Sequence, residues 1–233
     1  MAIKLEKGQR INLEKSNGSK LTNFCVGCNW GAVQKTVRKE FVINEGFLGF
    51  GRKTEWRTVL EPVDVDLDLS CMMFDENGSL VDVIFSDAYP KGNRFSRNNA
   101  FVLSQDDTEG DLGGDDGLDN EVITVDLTRA NSDVHSAVFM LNIYVQQGSK
   151  FKGDFSEIPY AYIRMYEGTP VRVNSVFAQY DVATKSNCQG KRSLILGKLY
   201  RHNGDWKFAA IGDAYDDNTI SDLFKRVMKD YSK

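Results

Sequence analysis

Through most of this chain apolar and polar side chains alternate with a period of two, in short runs rich in β-branched and aromatic residues. Strands are therefore expected at residues 10–13, 23–26, 63–74, 81–85, 122–126, 137–145, 160–166, 171–180, 193–200 and 206–211. Turn residues separate them at sandwich-like spacing. Asp75-Glu-Asn-Gly78 reads as one hairpin turn, and His202-Asn-Gly-Asp205 holds the Asn-Gly pair that a two-residue turn favours. The period changes only near the end, where Thr219, Ile220, Leu223, Phe224, Val227, Met228 and Tyr231 form an apolar stripe at helical spacing. Thr219 with Asp222 has the form of a capping box at its start. The expected fold is all-β, an antiparallel β-sandwich of about ten strands closed by a C-terminal amphipathic helix that packs on a sheet.

Two segments depart from plain alternation. Residues 31–57 carry Lys35, Arg38, Lys39, Arg52, Lys53 and Arg57 against Glu40, Glu45 and Glu55, around a GFLGFG run. This reads as a basic loop inserted between strands. Its exposed Phe47, Leu48 and Phe50 would suit a partner or a membrane surface. In VDVDLDLS, residues 63–70, the alternation is strict but the polar members are Asp64, Asp66, Asp68 and Ser70. On a strand this sets three carboxylates about 7 Å apart along one face. Aspartate disfavours strands and like charges repel, so a facing cation or basic partner is expected; an acidic edge guarding against aggregation is the plainer alternative.

Length and composition bound the rest. A chain of 233 residues, 41% hydrophobic and 11% aromatic, buries a full core and is read as a single domain over 1–233. A net charge of -4 argues against a nucleic-acid partner. No run approaches the roughly twenty apolar residues of a membrane span, and the start lacks a secretory signal, so a cytoplasmic location is expected. The basic segment leaves room for association with the inner face of the membrane.

Residues 106–121 read DDTEGDLGGDDGLDNE: eight carboxylates, four glycines and no lysine or arginine. Such crowding is unfavourable without a positive charge in its midst, and the glycines permit turns that aim oxygens inward. Taken with the strand carboxylates, the candidate metal ligands are Asp64, Asp66, Asp68, Asp106, Asp107, Asp111, Asp115, Asp116, Asp119 and Glu121, enough oxygens for two ions. An oxygen-only set without histidine or cysteine selects a hard cation, and a flexible glycine-rich cage suits calcium better than magnesium. The spacing is not that of an EF-hand, since Leu69 falls where the turn glycine belongs if Asp64 opens the loop.

Clustered carboxylates also hold metals in phosphoesterases and nucleases, so a divalent-metal-dependent phosphoesterase is the alternative function. Against it, the acidic loop has no basic residue for a phosphate, and His135 and His202 both read as structural. No arrangement for nucleophilic catalysis is present, and no catalytic residue is assigned. Cys25 and Cys28 lack the second ligand pair of a zinc site and the following helix of a redox pair. They read as buried small hydrophobes.

VDVDLDLSCMMFDENG, the loop ending GDDGLDNE, LYRHNGDWKFAAIGDAY, LEKGQRINLEK, VGCNW, AYIRMYE and the pair Tyr180-Asp181 occur in an order that resembles the TerD domain family of tellurium-resistance and stress-response proteins. The resemblance covers nearly the whole chain. It implies a β-sandwich that binds calcium at acidic loops on one end, associated with tellurite resistance and chemical-stress responses, without an established enzymatic activity. A calcium-dependent sensor or scaffold for other proteins of a stress-response or membrane-associated complex is the expected role. Asp66 and Asp68 match the family's paired aspartates before a serine, Asp64 an acidic position upstream, Asp106 and Gly110 the start of the acidic signature, and Asp119 and Glu121 its end. Asn120 stands where a second aspartate is common. The long 31–57 segment and Cys28-Asn29 before Trp30 depart from the pattern and mark a divergent paralogue.

Overall fold

The computed structural model describes residues 3–15, 17–45, 51–145, 151–182 and 188–233. In chain order their strands are β1 (Ile3–Lys4), β2 (Arg10–Asn12), β3 (Asn23–Trp30), β4 (Val33–Asn44), β5 (Lys53–Val63), β6 (Leu67–Phe74), β7 (Leu80–Ile84), β8 (Phe101–Leu103), β9 (Glu121–Asp126), β10 (Ser136–Ile143), β11 (Ala161–Thr169), β12 (Arg172–Asp181), β13 (Ser193–His202) and β14 (Asp205–Tyr215). One helix, α1 (Ile220–Asp230), ends the chain.

The strands form two six-stranded sheets, ordered β1-β12-β11-β3-β9-β8 and β2-β14-β13-β10-β6-β7. Alternate residues of each sheet meet in one apolar core: Phe24, Val26, Cys28 and Trp30 of β3 face Leu67, Leu69 and Cys71 of β6 and Phe139 and Leu141 of β10. Part of the outer face of the second sheet is covered as well. Leu223 and Val227 of α1 cover Met72, Phe74, Val138, Met140 and Ile195, which is why β6 is buried on both faces. The Thr219 side chain accepts from the Asp222 amide at the helix start, as the capping box predicts. Asn203 and Gly204, both at positive φ, make the tight β13–β14 turn.

The sandwich and its helix agree with the expectation from periodicity, but three local readings are corrected. The basic segment is not a loop: β4 and β5 pair with each other from Val33↔Val63 to Asn44↔Lys53 as a two-stranded ribbon of their own. Neither of its faces lies under the core, so no burial imposes an apolar row, and the alternation signal is lost. The run 63–74 is not one strand, because β5 ends at Val63 and β6 begins at Leu67. The short β1 and β8 were also not legible, each being too brief to show a period. Phe47, Leu48 and Phe50 lie outside the described residues.

Candidate metal centre

β7 pairs with β6 only from Cys71 onward, so the first half of β6 has an open edge. Glu121, the first residue of β9 in the opposite sheet, reaches across the sandwich to it, and its Oε2 accepts the Leu69 amide at 2.6 Å. Around this gap Asp66, Asp68 and Asp106 each bring a carboxylate oxygen within 4.8 Å of the others'. Asp68 is held by register: Asn142 of β10 pairs directly with it and donates Nδ2 to its Oδ2 at 3.1 Å, and the Tyr89 hydroxyl donates to the same oxygen at 2.5 Å. Asp66 is placed through its backbone, whose carbonyl accepts the Tyr144 amide at 2.9 Å.

What remains is a set of buried oxygens with no hydrogen-bond partner: Asp66 Oδ1, Asp106 Oδ1 and Glu121 Oε1. Unpaired buried carboxylates are costly, and each raises the next. Burial, then the neighbouring carboxylates of Asp68, Asp106 and Asp107, push Asp66 up to about 8. Burial and Asp106 push Asp68 up to about 7, against the hydrogen bonds from Tyr89 and Asn142. Burial, Asp68 and Asp106 hold Glu121 well above the usual carboxylate range. A divalent cation reverses every one of these shifts by supplying the missing opposite charge.

The acidic loop is laid against the end of β3 by Trp30. The Asp111 amide donates to the Trp30 carbonyl at 2.9 Å, Asn120 Oδ1 accepts the Trp30 amide at 2.9 Å, and the buried indole Nε1 donates to the Val65 carbonyl at 2.6 Å. One aromatic residue thus ties the loop to the chain entering β6. Asp107 Oδ1 closes a turn by accepting the Glu109 and Gly110 amides, and Asn120 Nδ2 bridges Asp107 Oδ2 and Asp111 Oδ1 at 3.3 and 3.1 Å. Where a second aspartate would add repulsion, this chain places an amide donor.

A second group, Asp111, Asp115 and Asp116, again brings three oxygens within 4.8 Å of one another, on a more exposed side of the loop. Tyr160 donates to Asp111 Oδ2 at 2.8 Å and Tyr162 to Asp115 Oδ2 at 2.9 Å. Gly110 sits at φ +71, and a Cβ there would lie 2.5 Å from the Trp30 indole. Gly110→Ala is accordingly expected to destabilise the protein by about 2 kcal/mol or more, strain and clash acting together. Thermal unfolding checks it: an unchanged melting temperature would mean the loop is not held against Trp30.

Asp119 belongs to neither group. Its carboxylate is buried against Gly27, where a Cβ would come within 2.0 Å of Oδ2, and it pairs with Arg164 of β11 at 2.9 Å. That guanidinium lies 5.5 Å from the ring centroids of both Tyr162 and Tyr166 and donates to the Gly117 carbonyl at 2.7 Å. Burial still raises Asp119 to about 6, with Arg164 opposing the shift. Asp64 is exposed and joins neither group.

The ten sequence candidates therefore divide by position: Asp66, Asp68 and Asp106 together with Glu121 beside them, Asp111, Asp115 and Asp116 together, Asp107 in a turn, Asp119 on Arg164, and Asp64 apart. Sequence reasoning passed over Tyr89, Asn142, Tyr160, Tyr162 and Arg164. Asn142 and Arg164 had a signal, each being a polar residue inside an apolar strand run. The tyrosines had none.

Cys25 and Cys28 sit three apart on β3 and so on opposite faces, Cys28 in the main core and Cys25 against Val122 and Tyr166. They cannot share a metal or a disulfide. Burial raises both thiols, and all four cysteines are buried and in no disulfide. Two open clefts of about 610 and 390 Å³, one beside Lys198 and Tyr200 and the other beside Arg201 and Trp206, are lined by none of the ten carboxylates. Among the described residues no helix is long and apolar enough to cross a membrane.

With this geometry in hand, the comparisons with known proteins agree on one group. The TerD domain matches residues 1–226. The chain is 32% identical over 230 residues to the stress response protein SCP2 of Bacillus subtilis (strain 168), across 97% of this chain and 99% of the relative. It is 27% identical over 228 residues to the tellurium resistance protein TerZ of Serratia marcescens, across 97% of each. The crystal structure of a telluride resistance protein (TerD) homologue from Streptomyces coelicolor A3(2) shares the fold at a TM-score of 0.56 and 12% identity, over 91% of this chain and 98% of that one.

Proposed function

The chain belongs to the TerD domain family, whose relatives are named as tellurium-resistance and stress-response proteins, and we propose that it is a calcium-binding member acting as a calcium-dependent sensor or scaffold for protein partners. The observation that carries this reading is the convergence of buried, unpartnered carboxylate oxygens from Asp66, Asp106 and Glu121 beside Asp68. A polypeptide that orders four carboxylates around one gap and leaves a buried oxygen of three of them unpaired suits a hard cation. One ion would be held there and a second by Asp111, Asp115 and Asp116. Calcium supplies the positive charge that lets loop and strand approach, and so sets the shape of the tip offered to partners.

The buried, raised thiols are poorly suited to reducing tellurite directly, which favours an indirect role in tolerance. The phosphoesterase alternative finds no favouring feature: the acidic groups border neither cleft, and the relatives are named for resistance and stress.

Calorimetric titration with calcium tests the reading, and the sign of its pH dependence follows from the raised carboxylates. In the ion-free protein Asp66 and Asp68 carry folded values of about 8 and about 7. They bind more protons folded than unfolded, so their contribution to ion-free stability is full below about pH 4 and is lost as pH rises through about 7 to 8. Calcium needs the deprotonated groups. Binding is expected to release protons near neutral pH, seen as buffer-dependent heats, and to strengthen from about pH 6 to pH 8. Absence of heat, of proton release and of a melting shift at millimolar calcium would end this reading. Phosphoester turnover with manganese or magnesium would favour the enzyme instead.

A further inference from the structure

The β4–β5 ribbon leaves the sandwich with little support. Its base is anchored by Val33 and Val63 in the core, with Lys35 over the Phe151 ring. Among the described residues each strand pairs only with the other, and a two-stranded ribbon is marginal on its own.

Register divides its side chains between two faces. One carries the cross-strand pairs Lys35↔Glu61, Val37↔Val59, Lys39↔Arg57 and Phe41↔Glu55, with Val37 and Val59 half-buried. Its charges satisfy one another, Lys39 with Glu61 and Arg57 with Glu55. The other carries Thr36↔Leu60, Arg38↔Thr58, Glu40↔Trp56 and Val42↔Thr54. There Leu60 is 66% exposed, Trp56 56% and Val42 41%, a row of large apolar groups facing outward. Arg38 leans over the Trp56 ring at 5.9 Å, and neither Arg38 nor Glu40 has an ion-pair partner among the described residues.

We propose that this second face packs against the same face of another copy of the chain, through the row Leu60, Trp56 and Val42 with Arg38 of each copy opposite Glu40 of the other. The charges choose the partner. Arg38 and Glu40 lie two residues apart on one strand, so a two-fold axis across the strands between them sets each against its opposite and lays Trp56 and Leu60 of each copy over Thr58 and Thr54 of the other. An anionic bilayer suits this face less well, because Glu40 would sit in the contact beside Trp56 and be repelled.

Sedimentation equilibrium of the full chain tests the proposal. Wild type is expected to be a reversible dimer with a micromolar dissociation constant. Trp56→Ser should weaken it about thirtyfold or more, as central aromatic anchors do. Arg38→Glu should weaken it about tenfold by setting like charges face to face, and adding Glu40→Arg should restore it. Melting temperatures should stay near wild type, since the altered side chains are exposed. A wild type that stays monomeric at about 100 µM overturns the proposal. So does a dimer indifferent to Trp56→Ser, a charge swap that restores nothing, or a monomer that binds phosphatidylserine vesicles through Trp56.

Discussion

Asp66→Asn with Asp68→Asn is expected to weaken calcium binding by about a hundredfold or more, because affinity at such sites follows the number of charged ligands. The same change should stabilise the ion-free protein by about 1–2 kcal/mol. Both effects have one cause. Burial strips these carboxylates of solvent with no opposite charge to replace it, and Asp68 then raises Asp66 and Glu121 while Asp106 raises all three. Asparagine keeps the shape, and its carbonyl can still accept from Tyr89 and Asn142 as Asp68 Oδ2 does. It removes only the charge. Calorimetric titration and thermal unfolding without calcium read the two arms. An unchanged affinity would mean these strand carboxylates are not ligands, and a lower ion-free melting temperature would mean they are not crowded.

Arg164→Met is expected to cost about 3–5 kcal/mol, the usual penalty for stripping one partner from a buried ion pair. The Asp119 carboxylate would be left against Gly27 with no counter-charge, and the Gly117 carbonyl would lose its donor. Methionine fills much of the space between Tyr162 and Tyr166, so the loss is of charge and hydrogen bonds more than of packing. The sharper readout is the double variant: Asp119→Asn beside Arg164→Met should recover much of the stability, since no buried charge then remains. Urea unfolding compares the three proteins. A loss below about 1 kcal/mol in the single variant would place the pair in solvent and remove Arg164 as the anchor of the acidic loop.

Much of the architecture follows from short-range pattern. The near-continuous apolar run at 137–145 reflects a strand buried on both faces, one against the core and the other under α1, so β10 was legible from its apolar and β-branched content. The Asn-Gly turn and the Thr219 cap depend on groups at most three residues apart. The ribbon was illegible for the converse reason: neither face packs on the sandwich core, so the core imposes no period on its sequence.

The candidate site shows the same division more sharply. Sequence alone determined that this is a β protein with a capped terminal helix, and that a glycine-rich run of carboxylates and an aspartate-bearing strand crowd like charges that offer only oxygen atoms, because composition and like-charge crowding are properties of neighbours along the chain. Tertiary structure alone decided which carboxylates meet. The pairing of Asn142 with Asp68, 74 residues away, the half-length pairing of β7 that opens the edge of β6 to Glu121, and the insertion of Arg164 under the loop 45 residues before it bring some charges to a common gap and neutralise others. Repulsion along a sequence shows that a counter-charge is needed; whether an arginine or an ion supplies it depends on what the folded backbone places opposite.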